Sequence, residues 1–254
     1  MLMIFRPRKP RAEPSVRPET PIRPDVPFFA VGDVHGTDRL LERLLKRLDR
    51  VAPPDALLVL TGDYVDRGDE SARVLRRLRV LSEAAGDNMQ CIMGNHEKML
   101  LNVIDDPVQH GRRWLRHGGL QTLASYGVSV RTGERSPEEL IDMRDRLVAG
   151  IGEETIAWLR GLPLSWRSGN VVVVHAGVDP ALPMDAQDPH TLLWGHPEFA
   201  VKDREDDLWI VHGHTITDTP KAVNGRISTD TGAYATGILT AALVETEKVT
   251  FIQA

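Results

Sequence analysis

Cysteine is almost absent: the 254 residues contain one, Cys91. That excludes a disulfide framework and a cysteine-rich zinc site. A basic excess is also missing. Lys and Arg number 31 against 36 Asp and Glu, a formal charge of −5, which argues against a dedicated nucleic-acid binder. No apolar run approaches the roughly 18 residues that span a bilayer. The opening Met1-Leu2-Met3-Ile4-Phe5 precedes Arg6-Pro7-Arg8-Lys9-Pro10, the reverse of the order in a secretory signal. These exclusions predict a cytoplasmic protein with neither nucleic-acid nor membrane partners. The rest is ordinary globular composition, 41% hydrophobic and 26% charged. At this length a chain buries enough apolar surface to fold without staples.

Proline is unevenly placed. Seven of 17 fall in residues 1–27, beside six basic and three acidic residues. That segment carries +3, which leaves −8 on residues 28–254. Proline at this density prevents helix and central strand. It predicts an extended or disordered tail over 1–27, ahead of a single domain over 28–254.

From Phe28 onward, apolar runs alternate with amphipathic stretches. Phe28–Val31, Ala56–Leu60 and Met89–Met93 read as buried strands. Thr37–Arg50 and Ser71–Ala85 read as helices between them. This order predicts an α/β fold with parallel strands and crossover helices, its ligands at the strand C-terminal ends. Residues 95–161 read as helical, with a helix start at Ser136-Pro137-Glu138-Glu139. Strands return at Val171–Val174, Leu208–Val211, Ile227–Thr229, Ile238–Val244 and Lys248–Ile252. Arg73, Arg76, Arg77 and Arg79 read as a solvated helix face.

The chemistry-bearing residues stand at the ends of the apolar runs. The motifs are Gly32-Asp33-Val34-His35-Gly36, Gly62-Asp63-Tyr64-Val65-Asp66-Arg67-Gly68, Gly94-Asn95-His96-Glu97, His175-Ala176 and His212-Gly213-His214-Thr215. One sheet edge would gather Asp33, His35, Asp63, Asn95, His175 and His214. Oxygen and imidazole donors without thiolate suit Mn²⁺, Fe or Zn²⁺ better than Ca²⁺. Six ligands exceed one tetrahedral zinc. With a bridging carboxylate they fit two metals about 3.5–4 Å apart.

This series of motifs resembles the phosphoprotein phosphatase family of calcineurin-like metallophosphoesterases, with the character of the bacterial and phage (lambda phosphatase-like) branch. The resemblance covers about 28–254. It is supported by Trp114 with His117-Gly118-Gly119, by Leu192-Leu193-Trp194, and by Ser228-Thr229-Asp230-Thr231-Gly232-Ala233. It implies a four-layer α/β/β/α sandwich of two mixed sheets flanked by helices. It implies two divalent metals, manganese first and iron or zinc as alternatives, with a bridging hydroxide as nucleophile. Asp33 and His35 would bind the first metal, Asp63 would bridge, and Asn95, His175 and His214 would complete the second. Arg67 would hold phosphate oxygens, with Asn95 also against the substrate. His96 would protonate the leaving oxygen, oriented by Asp66. Asp230 would support the site, His212 would lie in its surroundings or the core, and Cys91 would have no catalytic role. Bacterial relatives place a second phosphate-binding arginine two residues after the Leu-Leu-Trp tryptophan. Here His196 stands there, with Lys202 and Arg204 as other candidates.

The resemblance implies a phosphomonoesterase acting on a phosphorylated protein or small phosphoester, with a protein serine/threonine phosphatase as the leading reading. The alternative is a bis(5'-nucleosyl)-tetraphosphatase, and an inert binding module is a third. Asp66 and Glu97 are expected to favour the phosphatase, since the dinucleoside group tends to lack that aspartate and to read Gly-Asn-His-Asp.

Overall fold

A computed structural model describes residues 20–254, apart from 132 and 134. Two five-stranded mixed sheets form the centre. In the first, Phe28–Val31 (β1), Leu57–Leu60 (β2) and Met89–Cys91 (β3) run parallel. Asp38–Val51 (α1) and Ser71–Ala85 (α2) are the crossovers between them. A helical layer follows: Asn95–Asp105 (α3), Pro107–Trp114 (α4), Leu120–Ser125 (α5), Pro137–Ile151 (α6) and Glu153–Arg160 (α7). The second sheet contains Ser165–Ser168 (β4) and Val171–Val174 (β5). After the short helix Pro189–Trp194 (α8) it gains Trp209–His212 (β6), Lys221–Val223 (β7) and Arg226–Ser228 (β8). Ala233–Thr236 (α9) then leads to Thr240–Glu245 (β9) and Lys248–Gln253 (β10), which return to the first sheet. The strand orders are β10-β9-β1-β2-β3 and β4-β5-β6-β8-β7.

The expected four layers are present. Alternate residues of each strand face opposite ways, so strands covered on both faces are apolar throughout. Phe28, Ala30 and Val59 meet Val171, Val173 and Val211 between the sheets. Phe29, Val31 and Leu60 face α1–α7. Val172, Val174 and Ile210 pack under Leu192 and Phe199. In α1, Leu41, Leu44 and Leu48 are buried at the spacing of one helical face. The capping box at α6 forms as its sequence predicts. Ser136 Oγ accepts from Glu139 N, and Glu139 returns the bond to Ser136 N at 2.9 Å.

Two expectations change. Arg77 is not on a purely solvated face: its guanidinium makes a two-point bond to the buried Asp38, at 2.6 and 2.9 Å, tying α2 to α1. The described part of the expected 1–27 tail is also packed. Residues 1–19 lie outside the described residues. Residues 20–27 form neither helix nor strand but are fastened to the second sheet. Ile22 is buried between the sheets. Arg23 N donates to Asn170 Oδ1 at 2.7 Å, and Trp209 Nε1 donates to the Thr20 carbonyl at 2.7 Å. Proline forbids a ladder here but not side-chain and carbonyl bonding.

Ile22→Ala should lower stability by about 2 kcal/mol, the low end for a buried isoleucine. The check is urea denaturation, with the midpoint falling at unchanged slope. An unchanged midpoint would mean that this segment does not pack.

Candidate metal centre

Parallel strands place their C-terminal ends along one edge, and the loops there carry the charged residues. Asp33 and His35 follow β1. Asp63, Asp66 and Arg67 follow β2. Asn95, His96 and Glu97 open α3 just beyond β3, while His175 and His214 follow β5 and β6. His35, Asp63, Asp66, Arg67 and His214 all have φ between 42° and 71°. This left-handed conformation disfavours side-chain-bearing residues and concentrates at functional sites.

Asp63 is the centre, 2% exposed. Its Oδ2 faces His35 Nε2 at 3.4 Å and His96 Nε2 at 3.9 Å. Its Oδ1 faces His175 Nε2 at 3.3 Å and accepts from His96 N at 3.0 Å. Burial opposes its charge, but His175, His96 and His35 outweigh burial and hold the carboxyl below its usual range. Asp63 with His35 and His96, and Asp63 with His175 and His214, each bring ligand atoms within 4.8 Å of one another. One carboxylate therefore belongs to two groups.

The donor chemistry fits divalent cations. His35 Nδ1 lies 2.8 Å from the Val65 carbonyl, and His175 Nδ1 lies 2.9 Å from the Thr61 carbonyl. A carbonyl only accepts, so each Nδ1 carries the proton and each Nε2 presents a lone pair. Burial drives His35 down to about 3 and also lowers His175, so neither ring gains a second proton near neutrality. His175 Nε2 is nevertheless 2.8 Å from Asn95 Oδ1 and close to Asp63 Oδ1, with His214 Nδ1 3.0 Å from Asn95 Oδ1. Electron-rich atoms packed this closely are reconciled by a cation among them. Asp33 shows the same tension. Burial, with Asp230 and Asp63 alongside, pushes its carboxyl well up.

The surroundings hold this arrangement. Asp33 accepts His214 N at 3.0 and 3.1 Å. A side chain at Gly213 would collide with that carboxylate, and one at Gly94 would collide with Asp63. Glu97 accepts from Gly94, Asp63, Tyr64 and Val65 N–H groups at 2.7–3.2 Å, so it fixes the loop carrying Asp63. His96 Nδ1 is 2.7 Å from Asp66 Oδ2. Asp66 in turn accepts Trp114 Nε1 at 2.9 Å and Thr122 Oγ1 at 2.6 Å. Thr122 was not expected, and no motif marks it. Arg67 N donates to the carbonyl of Gly118, where the Leu115–Gly119 turn bends. His212 Nδ1 bonds its neighbour's carbonyl and its ring meets Phe199 edge-on, beside the cluster rather than in either ligand group. Burial pushes the Cys91 thiol up to about 12, so it offers no thiolate.

One expected site residue is not brought in. His196 shares no described hydrogen bond or ion pair with the cluster. Its Nε2 lies 3.7 Å from Asp179 and its Nδ1 accepts Glu198 N. Lys202 pairs with Glu198. Arg204 is held by Asp206 and by the Asp179 and Leu182 carbonyls. All three bind locally instead of reaching the phosphate site.

A buried carboxylate ringed by imidazoles at the ends of parallel strands defines a centre for divalent cations. The chain belongs to the calcineurin-like phosphoesterase family, whose model matches residues 26–236. It is 33% identical over 182 residues to a symmetrical bis(5'-nucleosyl)-tetraphosphatase of Acidovorax ebreus (strain TPSY), covering 70% of this chain and 52% of that protein. It is 34% identical over 154 residues to the protein of the same name from Methylococcus capsulatus (strain ATCC 33009 / NCIMB 11132 / Bath), covering 61% and 44%. The chain thus spans about half the length of the curated relatives it matches. A cold-active protein-tyrosine phosphatase of a Shewanella species shares the fold at TM-score 0.60 and 18% identity, covering 92% of this chain and 82% of that one. A protein crystallised as a candidate diadenosine tetraphosphatase does so at 0.61 and 20%, covering 91% and 94%.

These relatives overturn the expected protein serine/threonine phosphatase and do not support the lambda phosphatase-like branch. The structure shows why Asp66 and Glu97 misled. Asp66 orients His96 and Glu97 clamps the Asp63 loop, so the bonds of both go to the cluster itself. No described helix is long and apolar enough to cross a membrane.

Divalent cation should raise the thermal midpoint, by about 2.7 kcal/mol of stability at a hundredfold excess over Kd. Asp63→Asn should lose most of that gain in the same calorimetric titration. An equal gain in the variant would contradict Asp63 as the shared ligand.

Proposed function

We propose that the chain hydrolyses the polyphosphate bridge of dinucleoside tetraphosphates, giving two nucleoside diphosphates. The observation that carries this reading is the 33% identity over 182 residues to a protein named for that reaction, joined to a cluster fit for phosphoester chemistry.

Asp33, His35, Asp63, Asn95, His175 and His214 would hold two divalent cations, manganese first, with iron or zinc as alternatives. Bound there, the cations would neutralise phosphate charge and lower the pKa of water beside phosphorus. Arg67 supplies the guanidinium for phosphate oxygens, a planar fork suited to two-point contact. It lies 5.0 Å from the Tyr234 ring centroid, and no carboxylate pairs with it among the described residues. The ring face steadies the cation without cancelling its charge. His96 holds the proton for the leaving oxygen. Burial opposes charging of this ring, but Asp63 and Asp66 outweigh burial and raise its pKa above the ordinary imidazole value. Because Asp66 engages Nδ1, Nε2 carries the transferable proton.

Supplied with manganese, the chain should convert diadenosine tetraphosphate to ADP alone, and faster than it dephosphorylates a phosphoserine peptide. AMP with ATP as products, or a preference for the peptide, would contradict the reading.

His96→Asn should lower turnover by about 10²-fold, the low end for a general acid. A leaving phosphate with a second pKa near about 6 needs little help from a proton. Metal content, measured by elemental analysis, should stay at the wild-type level. Its loss would reassign His96 as a ligand.

A further inference from the structure

A cleft between α3, α4 and α8 encloses about 180 Å³. Met99 and Trp114 form its apolar wall, Asn102, His110, Arg113 and His190 also line it, and no carboxylate does so among the described residues. Arg113 is exposed and has no ion pair among the described residues. His190 stacks on Trp194, with centroids 4.9 Å apart and planes 20° apart. A cation and imidazoles beside an aromatic stack, with no acid, suit an anion joined to a flat ring.

The cleft adjoins the centre through two connections. Trp114, its wall, donates to Asp66, which holds His96. The Arg113 carbonyl lies 2.8 Å from His117 Nδ1, and the next residue, Gly118, accepts Arg67 N. The helix that carries Arg113 therefore also braces Asp66 and, through the Leu115–Gly119 turn, Arg67, and it supplies a second guanidinium. The residues expected to supply one, His196, Lys202 and Arg204, are all engaged elsewhere. The enclosed volume is below that of a pocket for a drug-sized ligand, about 300 Å³ or more. It suits a phosphate group, with the base lying on the exposed stack.

We propose that this cleft is a nucleoside 5'-phosphate subsite, with Arg113 and His110 on phosphate oxygens and the base stacked on His190 and Trp194. This rests on the dinucleoside reading above for its substrate. The occupant is tested directly with ADP.

The test uses the full chain with manganese, wild type against Arg113→Ala and His190→Ala. Both positions are exposed, and thermal midpoints verify folding. The readouts are KM for diadenosine tetraphosphate and the inhibition constant of ADP against 4-nitrophenyl phosphate hydrolysis. Each variant should raise both constants about tenfold, the usual weight of a charge-assisted bond or a base stack. kcat/KM on the dinucleotide should fall about tenfold more than on the aryl phosphate, which has no nucleoside. If wild type cleaves the dinucleotide but both constants stay within twofold in the variants, the subsite is wrong and the function stands. If wild type does not cleave it while ADP inhibition still weakens tenfold in both variants, the function is wrong and the subsite stands. Equal loss on both substrates overturns the subsite as well.

Discussion

Asp63 is a buried carboxylate with imidazoles on both oxygens, and the local structure follows from keeping it there. A lone charge at that depth would be prohibitively costly. His35, His96 and His175 close around it, while the Val65 and Thr61 carbonyls turn lone pairs of His35 and His175 inward. The crowding that holds the Asp63 carboxylate low, with the burial that holds the His35 and His175 rings low, makes the cluster a cation site.

Holding so many polar groups at one point forces the chain through unfavourable backbone. Five site residues are left-handed, each at a cost of order 1–3 kcal/mol. The two sheets and α1–α7 offset that cost by burying apolar surface, on both faces of β1, β5 and β6 in particular. Glu97 and Asp66 act between core and centre. One gathers four backbone donors under the Asp63 loop, and the other joins His96 to Trp114 and Thr122. Both hold the cluster in place from inside the fold.

Much of the centre was legible in the chain itself. A Gly-Asp or Gly-His directly after an apolar run marks a parallel strand's end, so Asp33, His35, Asp63, Asn95, His175 and His214 could be gathered before any coordinates. The α/β order and the α6 cap were legible for the same reason: local chemistry decides them. Contacts between distant segments were not. Thr122 stands 56 residues from Asp66 in an unremarkable helix. Residues 20–27 looked like tail because proline density says nothing about side chains such as Ile22 packing elsewhere. His196 matches a position in a motif, but its ring lies beside Asp179 instead. The substrate class is misread because Asp66 and Glu97 look like specificity marks while their bonds go to His96 and the Asp63 loop.

The central claim is that Asp63 joins two cations at the ends of two sets of parallel strands. Anomalous diffraction from crystals grown with manganese tests it most directly. The account predicts two peaks about 3.5–4 Å apart, one against each oxygen of Asp63, with His35 at one and His175 at the other. A single peak, or two peaks that do not share Asp63, would contradict it.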